Sequence, residues 1–449
     1  MFNPLANKNS SPVPSPASDV YGVIRRHVSP GLALGGKLVG RGAHEVAATG
    51  ATVRLSDGRE LVDFGSYAVT LLGHRYGPVV DAVSAQLAVL PTATRALANP
   101  TVAAFVEELV GRCGPGLDRV WLGSDGADAV EVALKLARRG TGRPRVLAVD
   151  GAFHGKTLGA LAVTAAPEFR AGLTGTALAG VLAPVTHIPR DDAGAVAREA
   201  RAGDVAALII EPVQGEAGAR PLDAGVVRRW AADARTAGAF LISDEIQAGL
   251  RRCGPFSVAV DAGWRPDAVL FGKALGGGVL PLSAAVGTAE LFAPLIADPT
   301  WHSATFGGHP LSCAAGRAAL RAVDELAERA DDLGTRFGRA LHDLAAGHPT
   351  LVTEVRGRGL LWGVDVASPA LAGSVLVELA DAGLLVSPCL SSRRTIRLLP
   401  PMVTTPAELA RALDALATAF AATERFAAAE SSAATERPVA ADSVPGGAG

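Results

Sequence analysis

Short apolar runs alternate with amphipathic helical patterns through the middle of the chain. The runs are rich in Val, Leu and Ile and are bounded by Gly, Asp or Pro, which predicts buried strands at residues 120–122, 145–149, 205–210, 240–243 and 268–271. Helical patterns separate most of them, at residues 128–139, 193–201 and 226–237. This order predicts an α/β fold with a mainly parallel sheet that helices cover on both faces. Ligands of such sheets bind beyond the carboxyl ends of the strands.

The pattern changes after about residue 315. Long Ala- and Leu-rich segments predict helices at 318–344 and 407–423, and short apolar runs predict strands at 351–355, 360–366 and 396–399. These elements indicate a second, smaller α+β domain. Strands predicted at 52–55 and 61–64 are expected to join it, because the ends of a chain often meet in space.

The predicted organisation has two domains between two tails. The large domain is expected at residues 76–315, and the smaller domain is expected to combine residues 21–75 with residues 316–426. Residues 1–20 and 427–449 have no apolar face, which predicts disordered tails.

Composition narrows the classes of function. The 449 residues include 42 Lys and Arg against 44 Asp and Glu, so the chain lacks the basic surface expected of a nucleic-acid-binding protein. Neither a run of about 20 apolar residues nor a signal peptide is evident, so no membrane span is expected. The four scattered cysteines favour reduced thiols over a disulfide framework or a metal site. We therefore expect a cytoplasmic protein without a metal.

The residues that follow three predicted strands indicate chemistry. Asp244 follows one strand, Lys273 follows another, and a turn from Gly123 to Ala127 opens a helix after a third. Taken singly, these features are typical of a helix cap, a solvated lysine and a tight turn. Together they offer a carboxylate for a heterocyclic nitrogen, an amine for Schiff-base chemistry and a helix start for a phosphate. One cofactor needs all three, namely pyridoxal 5′-phosphate.

The sequence from about Tyr21 to Phe426 resembles the class III (subgroup II) pyridoxal-phosphate aminotransferases of the ornithine, acetylornithine, 4-aminobutyrate and putrescine type. The resemblance is carried by seven motifs in order: Gly123–Asp128, Gly151–Thr157, Glu211–Glu216, Leu241–Gly249, Gly272–Gly278, His302–Pro310 and Ile396–Pro401. The family implies the fold-type-I, aspartate aminotransferase-like architecture. It also implies a homodimer whose active sites lie at the interface between subunits.

The resemblance implies cofactor-binding roles for individual residues. Lys273 matches the Schiff-base lysine and Asp244 the partner of the pyridine nitrogen, and these two are the expected catalytic residues. Gln247 matches the contact to the phenolic oxygen. The other expected cofactor-binding residues are the stacking aromatic with its neighbour, the phosphate turn, and a phosphate ligand from the partner subunit: Phe153, His154, Gly126, Ala127 and Thr305. Phe153 could instead be a core residue.

Glu216 and Arg397 match the family's substrate switch, in which the arginine binds a substrate carboxylate and the glutamate neutralises the arginine otherwise. A structural ion pair is the alternative. Lys156 stands where some members have an arginine for a distal carboxylate, and Ala127 stands where many have Ser or Thr. The roles of Lys156, Trp301 and His309 stay open.

These features predict an aminotransferase that moves a terminal amino group from a diamine or a basic or omega-amino acid to 2-oxoglutarate or pyruvate. An aminomutase or a decarboxylase of the same fold is the first alternative, and a non-catalytic binding protein that kept the fold is a more distant one. The presence of both Glu216 and Arg397 favours transfer. The identity of the donor, free or carried on a larger partner, is left open.

Overall fold

A seven-stranded sheet forms the centre of the computed structural model, which describes residues 19–94, 96–173 and 180–435. In spatial order its strands are β4 (Arg119–Gly123), β12 (Ser283–Gly287), β11 (Ala268–Phe271), β10 (Phe240–Asp244), β7 (Val205–Ile210), β5 (Arg145–Val149) and β6 (Val185–Ile188). The five strands from β11 to β6 are parallel, and β12 runs antiparallel to both β11 and β4. The sheet is therefore mixed but mainly parallel.

Helices cover both faces of this sheet. Val146 and Ala148 of β5 pack on one side with α5 (Gly126–Thr141), α6 (Leu158–Val163) and α11 (Ala289–Ala297). Leu147 and Val149, which alternate with them, pack on the other side with α8 (Ala195–Glu199) and α9 (Ala224–Thr236). Successive side chains of a strand point to opposite faces, so an unbroken apolar run is what a strand buried on both faces requires.

Further helices pack around the antiparallel edge of the sheet and beside the strand ends. They are α3 (Gly77–Val89), α4 (Pro100–Cys113), α7 (Pro167–Arg170), α10 (Val258–Asp261) and α12 (Pro310–Glu325). The largest apolar core joins α3, α4 and α12 to strands β11 and β12 and extends into the C-terminal part of the chain.

Two smaller sheets lie outside the central one. The first contains β13 (Val352–Arg358), β14 (Leu361–Val366), β17 (Thr395–Leu398) and β16 (Ser387–Pro388). The second contains β1 (Glu45–Thr49), β2 (Thr52–Leu55), β3 (Glu60–Asp63) and β15 (Leu384–Leu385), and the short hairpin β8 (Val213–Gln214) and β9 (Arg220–Pro221) lies apart. Because β3 pairs with β15 in parallel, the N-terminal strands are joined to the C-terminal part of the chain.

The remaining helices lie near the two ends of the chain. They are α1 (Val20–His27), α2 (Pro30–Val39), α13 (Ala327–Gly347), α14 (Pro369–Asp381) and α15 (Pro406–Thr435). The predicted single helix over 318–344 is two helices, α12 and α13, which meet at Leu326. The helix α15 extends through residues predicted as a tail, because that Ala-rich segment favours helix. The rest of the predicted tails, residues 1–18 and 436–449, lies outside the described residues, and the domain boundaries stay predictions.

Candidate active site

A pocket of about 230 Å³ opens at the carboxyl ends of the central parallel strands. Its walls come from the starts of the segments that follow β4, β5, β7, β10 and β11. The lining residues are Asp125, Gly126, Ala127, Phe153, His154, Gly155, Glu211, Asp244, Ile246, Gln247 and Lys273. Most of the predicted site residues therefore meet in one cavity, at the sheet edge where such folds bind ligands.

Lys273 lies in the pocket wall directly after β11 and Gly272. Its backbone has φ of 45°, a left-handed conformation that is uncommon for residues other than glycine and often marks functional sites. Burial lowers the pKa of its ammonium group below the ordinary value, against the opposing charges of Asp244 and Glu216. A larger fraction of uncharged amine follows, and the uncharged amine is the nucleophilic and basic form.

Asp244 ends β10 with a buried carboxylate. Its Oδ2 lies 2.7 Å from Nδ1 of His154, and its Oδ1 accepts a hydrogen bond from the Ile246 N–H at 3.1 Å. The Nε2 atom of His154 is buried without a hydrogen-bond partner among the described residues. The carboxylate is thus fixed in orientation from two sides, with a buried imidazole behind it.

The start of helix α5 forms another part of the pocket wall. Asp125 caps it by accepting the Asp128 N–H at 3.2 Å, and Asp128 accepts the Ser124 N–H at 2.9 Å in return. Amides of a first helical turn have no partner within the helix, and the helix dipole favours an anion there. Gly126 and Ala127 line the pocket at this helix start, where their backbone amides could hold a phosphate.

Two aromatic rings stand beside the pocket. The half-buried Phe153 lines it, and Phe169 packs edge-on against Phe153 with ring centroids 6.3 Å apart. The Nζ atom of Lys156 lies 4.1 Å from the centroid of the Phe169 ring, a cation–π geometry. Lys156 is exposed and is not among the residues that line the pocket.

The Glu216–Arg397 pair borders the pocket through Gln247. Arg397 is almost fully buried and donates from Nη1 to Oε1 of Glu216 and, at 3.1 Å, to Oε1 of Gln247. Burial alone would raise the pKa of Glu216, but the charge and hydrogen bond of Arg397 hold it below the usual value. Leu390 donates its N–H to the other Glu216 oxygen at 2.9 Å. Sequence reasoning predicted the pair but not its link to Gln247.

Thr305 lies outside this pocket in its own chain. The loop that carries it is anchored three residues earlier, where Nζ of Lys135 lies 2.9 Å from Nδ1 of His302 and 4.6 Å from the Trp301 ring centroid. Trp301 therefore packs against α5, and His309 precedes α12 with its ring 5.6 Å from that of Phe306.

Sequence reasoning assigned no role to three lining residues, Asp125, Glu211 and Ile246. Glu211 comes directly after β7 and Asp244 ends β10, so the place of Glu211 at a strand end was a usable signal. Within the described residues there is no group of three or more His, Cys, Asp or Glu side chains that could hold a metal ion. No helix in that part of the chain is long and apolar enough to cross a membrane.

Comparisons with known proteins identify the family of the chain. The family model of the class III aminotransferases matches residues 43–420. A putrescine aminotransferase from Pectobacterium atrosepticum is 34% identical over 411 residues, which cover 88% of this chain and 87% of the relative. An acetylornithine aminotransferase from Mycolicibacterium smegmatis is 39% identical over 378 residues, which cover 83% and 92%.

Solved structures show the same architecture. The ornithine aminotransferase from Toxoplasma gondii matches with a TM-score of 0.81 and 31% identity over 91% of this chain and 95% of that one, and it is described with partial occupancy of PLP at its active site. An acetylornithine aminotransferase from Elizabethkingia anophelis matches with a TM-score of 0.72 and 27% identity over 85% and 94%. The chain belongs to the class III aminotransferases. It has the fold-type-I architecture and depends on pyridoxal 5′-phosphate.

The residues of the pocket fit this cofactor. The group requires a lysine amine, a carboxylate for its pyridine nitrogen and donors for its phosphate. Lys273, Asp244 and the start of α5 provide these in one cavity. The tight packing at the helix start supports the assignment, because a Cβ on Gly126 would come within 2.8 Å of the Ile246 side chain.

Proposed function

We propose that the enzyme moves a terminal amino group from a diamine or a basic or omega-amino acid to 2-oxoglutarate or pyruvate. The observation that carries the proposal is the Glu216–Arg397 pair beside a pocket that contains Lys273 and Asp244. Relatives that act on putrescine, acetylornithine and ornithine support the donor class, since all three substrates carry a primary amine at the end of a short carbon chain.

The proposed roles of the chain's own groups follow from the geometry. Pyridoxal phosphate, when bound, supplies an aldehyde and a ring that accepts electrons. The Nζ atom of Lys273 holds the cofactor between turnovers, takes the proton from the substrate carbon that bears nitrogen, and later returns a proton. Asp244, oriented by His154, places a negative charge where it keeps the pyridine nitrogen protonated. Phe153 would hold the ring by stacking, and the amides of Gly126 and Ala127 would hold the phosphate.

The Glu216–Arg397 pair would let one pocket accept two kinds of substrate. When a substrate carboxylate arrives, it can replace Glu216 as the partner of the planar guanidinium. When the donor has no carboxylate at that position, Glu216 keeps the buried arginine neutralised, which avoids an unpaired buried charge. This alternation is what a transferase with dissimilar donor and acceptor needs.

Lys156 bears on the choice of donor. A lysine is a less directional carboxylate ligand than an arginine, and here its ammonium is held over Phe169. We propose that the enzyme makes weak use of a distal carboxylate and therefore favours donors such as diamines.

The proposed assembly is a cytoplasmic homodimer with shared active sites. Thr305 does not line the pocket of its own chain. The neighbouring Phe306 is 64% exposed, and Tyr67 is 66% exposed. A partner subunit packed against this part of the chain would cover these exposed rings. All four cysteines are free and buried, which fits a reducing compartment.

A donor panel tests the proposal. Putrescine, cadaverine, ornithine, acetylornithine, lysine and 4-aminobutyrate are each supplied with 2-oxoglutarate or pyruvate, and glutamate or alanine is measured. We expect turnover with at least one diamine or basic amino acid, and a loss of at least a thousandfold in Lys273→Ala. Full turnover by Lys273→Ala would refute the role of the lysine. Conversion of a substrate without any oxo acid would indicate an isomerase or a decarboxylase instead.

A further inference from the structure

Glu211 lies in the wall of the pocket and takes no part in the roles proposed above. Its side chain is buried, with 4% of the residue exposed. Its Oε1 accepts the backbone N–H of Phe153 at 2.7 Å, and its Oε2 accepts the backbone N–H of Gly215 at 3.2 Å. No arginine or lysine among the described residues forms an ion pair with it. The carboxylate is therefore held by two backbone amides.

These two amides belong to different loops of the site. Phe153 lies in the loop after β5, whereas Gly215 immediately precedes Glu216 in the loop after β8. A second bond joins the same loops, since Nε2 of Gln214 donates to the Asp150 carbonyl at 2.9 Å. Glu211 thus sits between the aromatic wall of the pocket and the glutamate that binds Arg397.

We propose that Glu211 is a positioning residue that fixes Phe153 and the Glu216–Arg397 pair relative to one another by binding both amides. The inference rests on the function proposed above for those three residues. Two properties then depend on Glu211 together: the affinity for pyridoxal phosphate, through Phe153, and the discrimination between substrates with and without a carboxylate, through Glu216.

The charge state of Glu211 gives this role a pH signature. Burial raises the pKa of its carboxyl to about 7, with His154 opposing the rise and Asp244 adding to it. The charged and titratable groups around it are His154, Asp244 and Lys273. A protonated carboxyl has lost an acceptor, so the bond to one amide weakens as the pH falls through about 7.

The test is Glu211→Gln in the full-length enzyme. The glutamine side chain has the same shape as the glutamate side chain but only one acceptor oxygen. Its NH₂ group must therefore face the backbone N–H of Phe153 or of Gly215. We expect the dissociation constant for pyridoxal phosphate, measured by tryptophan fluorescence of the apoprotein, to rise about tenfold or more. We also expect the ratio of kcat/KM between the best donor of the panel and 2-oxoglutarate to change. Glu211→Asp, which keeps two acceptors, should recover part of both losses.

Glu245→Gln is the matched control. Glu245 is equally buried and accepts the N–H groups of Val258 and Ala259 at 2.6 and 2.9 Å, but it does not line the pocket. The Glu245→Gln substitution should lower the thermal stability of the enzyme without changing its affinity for the cofactor. If Glu211→Gln binds the cofactor as wild type does, or no worse than Glu245→Gln does, the proposal is wrong.

The pH dependence separates positioning from simple packing. In the wild type, cofactor affinity should weaken below about pH 7, and this inflection should be missing in Glu211→Gln. An inflection that persists in the variant would assign it to His154 or another group and overturn the proposal. Should Glu211→Gln fail to fold, Glu211→Asp tests the affinity alone: its shorter carboxylate should still weaken cofactor binding relative to the wild type, and an unchanged dissociation constant would overturn the proposal. None of the binding measurements needs the donor, so a wild type inactive on the panel would refute the proposed substrates without affecting this result.

Discussion

Gly155 lies in the pocket wall, packed closely against Ala127 of α5 and Ala160 of α6. It has φ of +131°, and a Cβ there would lie 2.9 Å from the Cβ of Ala127 and 3.0 Å from that of Ala160. Any side chain would therefore press on the start of α5 and strain its own backbone.

We expect Gly155→Ala to lower the free energy of unfolding by about 1–3 kcal/mol and to weaken binding of the cofactor, because the displaced Ala127 belongs to the turn proposed to hold the phosphate. Thermal unfolding without cofactor and titration with cofactor measure the two effects. The control is Gly111→Ala in α4, where nothing lies within 4 Å of the new Cβ. Gly111→Ala should be neutral or stabilising, and equal behaviour of the two variants would contradict the argument.

Arg397 offers a second prediction at the scale of one residue. Arg397→Lys keeps the charge beside Glu216 but loses the planar, bidentate geometry. We expect kcat/KM for 2-oxoglutarate to fall roughly 10- to 100-fold and that for a diamine to fall much less, measured in separate half-reactions. Arg358→Lys, a 43%-exposed arginine on β13, is the control and should change neither value. Equal losses for both substrates would favour a purely structural ion pair.

Asp365 ties together the strands of the sheet that carries Arg397. Its Oδ1 accepts Nη2 of Arg356 on β13 at 2.7 Å, its Oδ2 accepts Nη2 of Arg220 at 3.2 Å, and Thr395 of β17 donates to it as well. Burial alone would raise its pKa, yet Arg356 and Thr395 hold the pKa of this carboxyl below its usual range. These bonds fix the position of β17, the strand that contains Arg397.

Asp365→Asn should lower the free energy of unfolding by about 3–5 kcal/mol, because it leaves Arg356 without its buried counter-charge. The folded-state pKa lies below the unfolded value, so the contribution is complete above about pH 4 and is lost as the pH falls through the folded value. Urea unfolding at pH 7 and in acid measures this. Asp332→Asn, which breaks an exposed pair with Arg336, should cost less than about 1 kcal/mol. A loss of that small size in Asp365→Asn would contradict the prediction.

The sequence predicts a strand correctly where a short run of residues is enough to show that the strand is buried. The strands β5, β7 and β11 have the expected bounds because an apolar run closed by Gly, Asp or Pro specifies a strand buried on both faces. The strand β12 was missed because Ser283–Gly287 is made mostly of small residues that carry little strand preference. The break between α12 and α13 was missed because no Gly or Pro marks it.

The residues of the site fall into the same two groups: those that the local sequence predicts and those whose contacts depend on tertiary packing. Lys273, Asp244 and the start of α5 follow from their places at strand ends, which the parallel sheet brings to one edge. The meeting of Arg397 with Gln247 depends on how two separate sheets pack, and the bond from Glu211 to Phe153 crosses from one loop to another. No spacing in the sequence encodes contacts of that kind.

At the scale of the whole molecule, the shared active site can be tested with two inactive variants. Lys273→Ala and Thr305→Ala are purified separately, mixed, dissociated and reassociated. If Thr305 serves the partner's site, a hybrid dimer has one site with both native residues, and activity should return to about a quarter of the wild-type level from random pairing. If Thr305 serves its own chain, mixing should restore nothing. The unmixed variants treated in the same way are the control.

The pairing of Val62 with Leu384 also governs how the chain can fold. The strand β3 is made early in synthesis, but its parallel neighbour β15 comes from near the end. Until that segment leaves the ribosome, one edge of the N-terminal sheet has no partner, and exposed strand edges invite association between chains. Synthesis that stops before residue 384 should therefore yield aggregated protein, so a segment translated long after β3 decides whether the sheet that contains β3 stays in solution.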